Sequence, residues 1–321
     1  MQASALLGLR AAAPIHAGSD DARGVVDLPI QREKHNNWPV VFASSVKGAL
    51  REACSKQQAR AQIANAAGAA VAVVVGVDND EINVAALFGM GDQPDETRPG
   101  MQAGALLVSD MQLLALPVAS LDKAFRWVSC PSALARLARS WARFGMHSNA
   151  CPPVPVLPAP EVALHFADGL PPDKSLFLRE YSFKGQRADE SIQPWLKLLA
   201  DLFGPHTGEE ELSERLLIVS DQRFGFLAES ATSVAPHIRL NENKTTVDGA
   251  MFFEETLPPE TLMFLPLACV DERKTEERQA GAQLMAQLLG CFAGERNFLR
   301  VGGNETTGMG WFEVHVCKGQ P

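Results

Sequence analysis

The chain has 321 residues, 46% hydrophobic and 21% charged, which excludes global disorder and is enough for one large domain or two ordinary ones. A formal net charge of −9 excludes a uniformly basic nucleic-acid binder. Six scattered cysteines with no C-x-x-C pair, and seven histidines with no H-x-x-x-H pair, argue against a zinc site or disulfide framework and for free thiols in a reducing cytoplasm.

In chain order, residues 4–12 form a short apolar run that predicts a buried strand. Residues 1–17 lack the basic start of a signal peptide, so they read as part of that strand. Residues 18–24 are a polar loop. Residues 45–66 predict a helix, with Val46, Leu50, Cys54 and Ile63 on one apolar stripe and Ser44 or Ser45 as its N-cap. The longest apolar run, residues 66–77, is shorter than the ~20 residues a membrane span needs, and no membrane partner is expected. Residues 89–100 are rich in turn formers, 104–116 read as strand, and 132–144 as a basic helix. Five prolines between 152 and 160 predict an extended crossover and the best boundary between halves. Residues 175–183 read as strand, and 192–203 and 221–230 as short helices. Two strand-like runs, 237–240 and 250–256, flank a polar turn and predict a hairpin. A strand over 263–270, a helix over 276–292 and strands at 299–303 and 311–317 complete the chain. This order of elements predicts an α+β fold with an antiparallel sheet.

Charge is uneven along this frame. Between residues 22 and 62, seven Lys and Arg face three acids, a local balance of +4. A basic track can hold phosphates on an acidic body, because screening limits distant charges to a reach of roughly 8–10 Å.

Three segments carry chemistry. In Ser44-Ser45-Val46-Lys47-Gly48-Ala49-Leu50-Arg51, a helix start leaves N–H groups for an anion, and Lys47 and Arg51 share one helix face. The same pattern serves a capped helix with a solvated basic face. Gly302-Gly303-Asn304-Glu305-Thr306-Thr307-Gly308-Met309-Gly310 places four glycines within nine residues, either for close approach to a ligand or for a tight turn. Gly303 and Gly308 have the spacing of a phosphate loop, but Met309 stands where that loop needs lysine, so no nucleotide cofactor is expected. The third segment, residues 24–33, holds Asp27 among apolar neighbours, which suits a turn as well as metal binding or proton handling.

Together and in this order, these segments resemble the RAMP superfamily of CRISPR-associated proteins, most closely the repeated backbone subunit of type III-B (Cmr) effectors. The resemblance also takes in His16-Ala17-Gly18, the stretch from Val26 to Glu33, Phe125 to Pro131, Val219-Ser220-Asp221 and Arg239 to Pro258. It spans nearly the whole chain. The Leu28–Glu33 stretch and the Cys130-Pro131 step favour the Cmr type over the related type III-A (Csm) subunit. Phe42-Ala43 and the alanine-rich residues 59–77 depart from the family pattern.

The resemblance implies one ferredoxin-like, RRM-like core over residues 1–321, an insertion at about 52–103, and a protruding β-hairpin thumb within about 222–262. It implies guide RNA, single-stranded target RNA, further copies of the chain and other Cmr subunits as partners. Ser44, Ser45, Lys47 and Arg51 would hold guide RNA together with Gly302, Gly303, Thr306, Thr307 and Gly308 in one groove. Arg239 and Lys244 would touch phosphates at the thumb, and Met251 and Phe252 would pack against displaced bases. Asp27 matches the acid that cuts target RNA, with His16 as an assistant. A free aspartate titrates near ~3.9 and is a weak base at neutral pH, so the expected role is to orient the attacking 2′-hydroxyl or a divalent cation, Mg²⁺ or Mn²⁺. Two alternatives are a structural relative that binds guide RNA without cutting and a serine acyl-transfer enzyme built on Ser44-x-x-Lys47. The second lacks its partner motifs, Ser-Asp-Asn and Lys-Thr-Gly.

Overall fold

The structure is a computed structural model that describes residues 3–20, 24–66, 82–89, 103–146, 151–168, 175–239, 241–247, 249–273, 278–294 and 297–319, with side chains omitted for 59–66. The turn-rich stretch at 90–100, most of the apolar run at 66–77 and much of the 52–103 insertion lie outside the described residues.

The first half contributes β1 (Ala3–Ala11), β2 (Val40–Val41), α1 (Ala43–Ala66), α2 (Val84–Phe88), β3 (Leu106–Val108), β4 (Met111–Val118), β5 (Arg126–Ser129) and α3 (Pro131–Arg143). The middle contributes β6 (Val162–His165), β7 (Ser175–Leu178), β8 (Tyr181–Arg187), α4 (Trp195–Phe203), α5 (Glu209–Arg215), β9 (Leu216–Ile218) and α6 (Asp221–Ser230). Then follow β10 (Ser233–His237), β11 (Phe252–Thr256), β12 (Leu262–Cys269), α7 (Gly281–Gly290), β13 (Phe298–Arg300) and β14 (Trp311–Lys318).

Among the described residues, twelve strands form one sheet in the order β13-β14-β1-β12-β4-β5-β9-β6-β8-β7, with β2 beside β4 and β3 beside β12. Most pairs are antiparallel; β5–β9 and β6–β8 are parallel. The α+β architecture with a largely antiparallel sheet is therefore as expected. The proline-rich segment does not separate two cores, because strands from both sides of it pair, β5 with β9 and β4 with β12. All eight residues of β12 are buried, as a strand in mid-sheet covered on both faces must be.

Several predicted elements divide or shift. The apolar stretch at 104–116 is interrupted at Ser109 and Asp110, leaving β3 and β4 to run on in the same direction along β12. The stretch at 175–183 is likewise split, by a turn at Arg179, whose φ is +53°. The hairpin near 240 begins earlier than its pattern suggests: β10 includes Pro236, a residue confined to strands with an open edge, and this two-stranded ribbon has one.

The expected serine cap is corrected. Helix α1 begins at Ala43, so Ser44 and Ser45 lie inside its first turn. The cap comes from elsewhere in the fold: Asp110 Oδ1 accepts the Ala43 N–H at 2.7 Å, and Gln31 Oε1 accepts that of Phe42 at 2.7 Å.

Candidate functional site

The site grows from the root of the β10–β11 ribbon. Glu255 on β11 is buried, and its Oε1 accepts from Arg32 Nη2 at 2.6 Å and from the Thr232 hydroxyl at 2.7 Å. Its Oε2 accepts the Ile30 N–H at 3.1 Å. Arg32 also donates to the carbonyls of Asn37 and Ala228, so one guanidinium ties loop 30–37, α6 and β11 together. A buried ion pair of this kind stands only because its remaining donors and acceptors are also satisfied.

Loop 26–28 is thereby laid along β11. The N–H groups of Asp27 and Leu28 both donate to Phe253 O, at 3.1 and 3.0 Å, and Glu255 N–H donates to Leu28 O at 2.9 Å. Asp27 is exposed, and its Oδ2 accepts the Phe253 N–H at 2.8 Å. Its other carboxylate oxygen has no partner among the described residues. The loop thus presents one oriented acceptor to solvent at the ribbon root.

The neighbouring residue, Glu254, is buried on the other face of β11. Its Oε1 faces His16 Nε2 at 3.5 Å and accepts from Asn304 Nδ2, while its Oε2 lies 3.2 Å from His237 Nε2. His16 is itself buried, and its Nδ1 is 2.8 Å from Glu255 O; a carbonyl only accepts, so Nδ1 carries a proton. The His237 ring stacks on Phe252, with centroids 5.3 Å apart.

Asn304 brings in the glycine loop. Gly303 N–H donates to His16 O at 2.8 Å and Gly310 N–H to Pro14 O at 2.9 Å, stitching the loop to residues 14–16. Gly302 has φ +96°, and a Cβ there would lie 2.4 Å from His16 O, so both the conformation and the close approach require glycine. Thr306, Thr307 and Gly308 are exposed at its outer turn.

The start of α1 joins the same region. Gln31 Nε2 donates to Ser45 Oγ and to Gly18 O, and Arg300 bridges Glu52 on α1 and Glu305 in the glycine loop. Helix α1 and the glycine loop are therefore linked through Glu52 and Arg300, about two turns along the helix from the serines. Lys47 and Arg51 lie about 140° and 100° around the helix from Glu52, on a different flank. Neither has an ion-pair or hydrogen-bond partner among the described residues. They extend the site around α1 and do not touch the glycine loop through such bonds.

Beyond the ribbon, Arg239, Lys244 and Met251 are all exposed, the last at 56%. Asn241 organises the tip: its Oδ1 accepts the N–H groups of Asn243 and Thr245, both at 3.0 Å, in an Asx turn. Phe252, by contrast, is half-buried against His237.

Sequence reasoning assigns no role to Arg32, His237, Glu254 or Glu255. The available signal was two adjacent acids in an otherwise apolar strand, where at least one must be buried and partnered.

A mostly antiparallel sheet with helices, and a glycine loop and two-stranded ribbon converging beside an exposed carboxylate, define the class as α+β with a site at the ribbon root. The chain belongs to the RAMP superfamily, whose family model matches residues 9–313. It is 32% identical over 311 residues to the CRISPR system Cmr endoribonuclease Cmr4 of Pyrococcus furiosus, covering 96% of this chain and 94% of that one. The fold matches that of oligomeric Cmr4 from Pyrococcus furiosus at a TM-score of 0.67, with 24% identity over 99% of both chains. It also matches a chain of the type III-B Cmr-beta complex bound to cognate target RNA, with a TM-score of 0.68, 18% identity and coverage of 98% and 96%.

Proposed function

We propose that this chain is the repeated backbone subunit of a type III-B CRISPR effector, binding guide RNA and cutting complementary target RNA at regular intervals. The observation that carries this reading is the placement of Asp27: exposed, and oriented by β11 at the root of the ribbon that resembles the family's thumb. The relative that shares nearly its whole length is an endoribonuclease of the same kind of system. Guide RNA, target RNA, further copies of the chain and other Cmr subunits are its partners. Among the described residues no helix is long and apolar enough to cross a membrane, and the working place we assign is the cytoplasm.

RNA carries its own nucleophile. When a nucleotide is splayed so that its 2′-oxygen lies in line with the adjacent phosphorus, a P–O2′ bond forms and the P–O5′ bond breaks. The 2′-hydroxyl gives up its proton and the departing 5′-oxygen gains one. The ribbon would supply the splaying, and positioning of this kind accounts for several kcal/mol of barrier. Asp27 would accept a hydrogen bond from the 2′-hydroxyl and fix its direction. His16, held by Glu254 and by Glu255 O, would keep the glycine loop seated beside it.

Among the described residues no group of three or more His, Cys, Asp or Glu side chains is placed to hold a metal ion. One free carboxylate oxygen on Asp27 suits Mg²⁺ or Mn²⁺ held largely by RNA phosphates, the usual way such ions sit on nucleic-acid enzymes. Bound there, the ion would neutralise charge on the phosphate being attacked.

The test is a complex reconstituted on guide RNA with wild-type or Asp27→Asn subunit, with and without Mg²⁺ or Mn²⁺. Regularly spaced target fragments from the wild type, and none from a variant that binds target equally well, are expected. Undiminished cutting by the variant removes Asp27 from the chemistry, and a wild-type complex that binds target without cutting leaves a structural subunit only.

A further inference from the structure

The edge hairpin β13–β14, far from Asp27 in the order of the chain, presents an aromatic face. Strand alternation puts Phe298, Arg300 and Trp311 on one face of it, with Arg300 directly opposite Trp311. Phe298 is 45% exposed and Trp311 is 39% exposed, whereas the other four tryptophans are at most 5% exposed. The two rings meet edge to face with centroids 6.5 Å apart, and the Arg300 guanidinium lies 5.5 Å from the Trp311 ring centre. The rings border a cleft of about 400 Å³ whose opposite wall is α1, through Ala49, Glu52 and Ala53.

Large aromatic faces left in water on an edge hairpin are costly unless they are covered in use. The charges around the cleft identify what covers them. Arg300 is ion-paired to Glu52 at 3.3 Å and to Glu305, and Lys56 is paired to Glu52 at 2.6 Å. Two cations and two carboxylates cancel, so the cleft offers no net attraction for a phosphate. It offers flat apolar surface, and Glu52 as an acceptor for ring N–H groups. That is the chemistry of an unpaired nucleobase. The cleft also adjoins the RNA-facing elements, since the hairpin leads directly into the glycine loop and Arg300 is bonded to it.

We propose that Trp311 and Phe298 form a stacking platform for one unpaired base of single-stranded RNA running along the glycine loop. This rests on the RNA-binding reading of the subunit. It adds a contact that takes a base rather than a phosphate.

Trp311 is the exposed fluorophore, so the full-length protein reports on the platform directly. Oligoribonucleotides of about 12 residues, uridylate or adenylate, are titrated while tryptophan emission and its quenching by acrylamide are followed. Affinity is measured separately by filter binding. RNA is expected to quench the emission and to shield it from acrylamide. Trp311→Phe should lose that signal with affinity kept within about twofold, while Trp311→Ala and Phe298→Ala each weaken binding about tenfold. Wild-type protein that binds RNA with neither quenching nor a loss in the alanine variants overturns the platform and leaves the RNA-binding reading standing. Wild-type protein that binds no RNA removes both. Shielding of Trp311 that rises with protein concentration in the absence of RNA assigns the face to a second copy and also overturns the proposal.

Discussion

Arg32 and Glu255 form a 2.6 Å ion pair in which the two side chains are only 3% and 8% exposed, and this pair fastens the β10–β11 ribbon to the loop that carries Asp27. Removing one partner strands a charge in the interior. Glu255→Leu or Arg32→Met alone is expected to cost about 3–5 kcal/mol in denaturant unfolding. The double replacement should recover part of that loss, because no uncompensated charge remains although the Ile30 N–H and the carbonyls of Asn37 and Ala228 lose a partner.

Asp27→Asn keeps an oxygen for the Phe253 N–H and should leave thermal stability unchanged within about 0.5 kcal/mol. Target cutting by the assembled complex should fall about a hundredfold or more, the range of a positioned proton-handling group. Asp27→Ala removes the acceptor as well and should add about 1 kcal/mol of destabilisation. Comparing the two separates the structural role of the carboxylate from its chemical one.

Gly302 and Gly308 both have positive φ, but only the first is crowded. Gly308→Ala should cost about 1–2 kcal/mol from backbone strain alone. Gly302→Ala drives a methyl against His16 O and must break the Gly303–His16 hydrogen bond, so it should cost more and also weaken RNA binding. Chemical unfolding and filter binding of both variants check the order.

Lys47 and Arg51, without ion-pair partners among the described residues, stand on a solvent-facing flank of α1. Their joint reversal to glutamate should change stability by less than about 0.5 kcal/mol. Guide RNA should no longer co-purify. For single neutral replacements, the slope of log affinity against log salt should flatten by about 0.7 for each phosphate no longer neutralised.

Burial pushes the thiols of Cys269 and Cys317 up to about 12 from an ordinary value of 9.0 and raises those of Cys130 and Cys151, while the hydrogen bond with Cys291, together with burial, raises that of Cys54. The folded chain therefore keeps protons that the unfolded chain releases, and stability must fall as pH rises from about 9 towards 12. The thiols should react slowly with an aromatic disulfide reagent at pH 8, and all six should react after unfolding. Alkaline melting curves and thiol titration check both.

Much of the fold is legible in the sequence because its periods are clean. The apolar run of β1, the all-buried β12 and the amphipathic α3 and α6 declare themselves locally. What escaped depends on distant partners. The cap of α1 is Asp110, a residue sixty-seven positions from the amide it binds, so two serines at the right place were the natural but incorrect choice. Short strands such as β2 and β9 carry too few residues to show a period and are fixed by pairing alone. In the site, Asp27, His16 and the glycine loop were visible through family likeness. Glu254 and Glu255 were not, because only the register of β11 shows that one acid meets two histidines and the other an arginine.

The first strand lies between β12 and β14, strands that follow it by roughly 250 residues or more. At the usual pace of synthesis, about 5–20 residues per second, that delay is on the order of 13–50 s. Until then β1 leaves the ribosome as an apolar segment with both edges open. The nascent chain must keep it covered by a chaperone or by transient contacts, and expression at lower temperature or with chaperones added should raise the soluble yield.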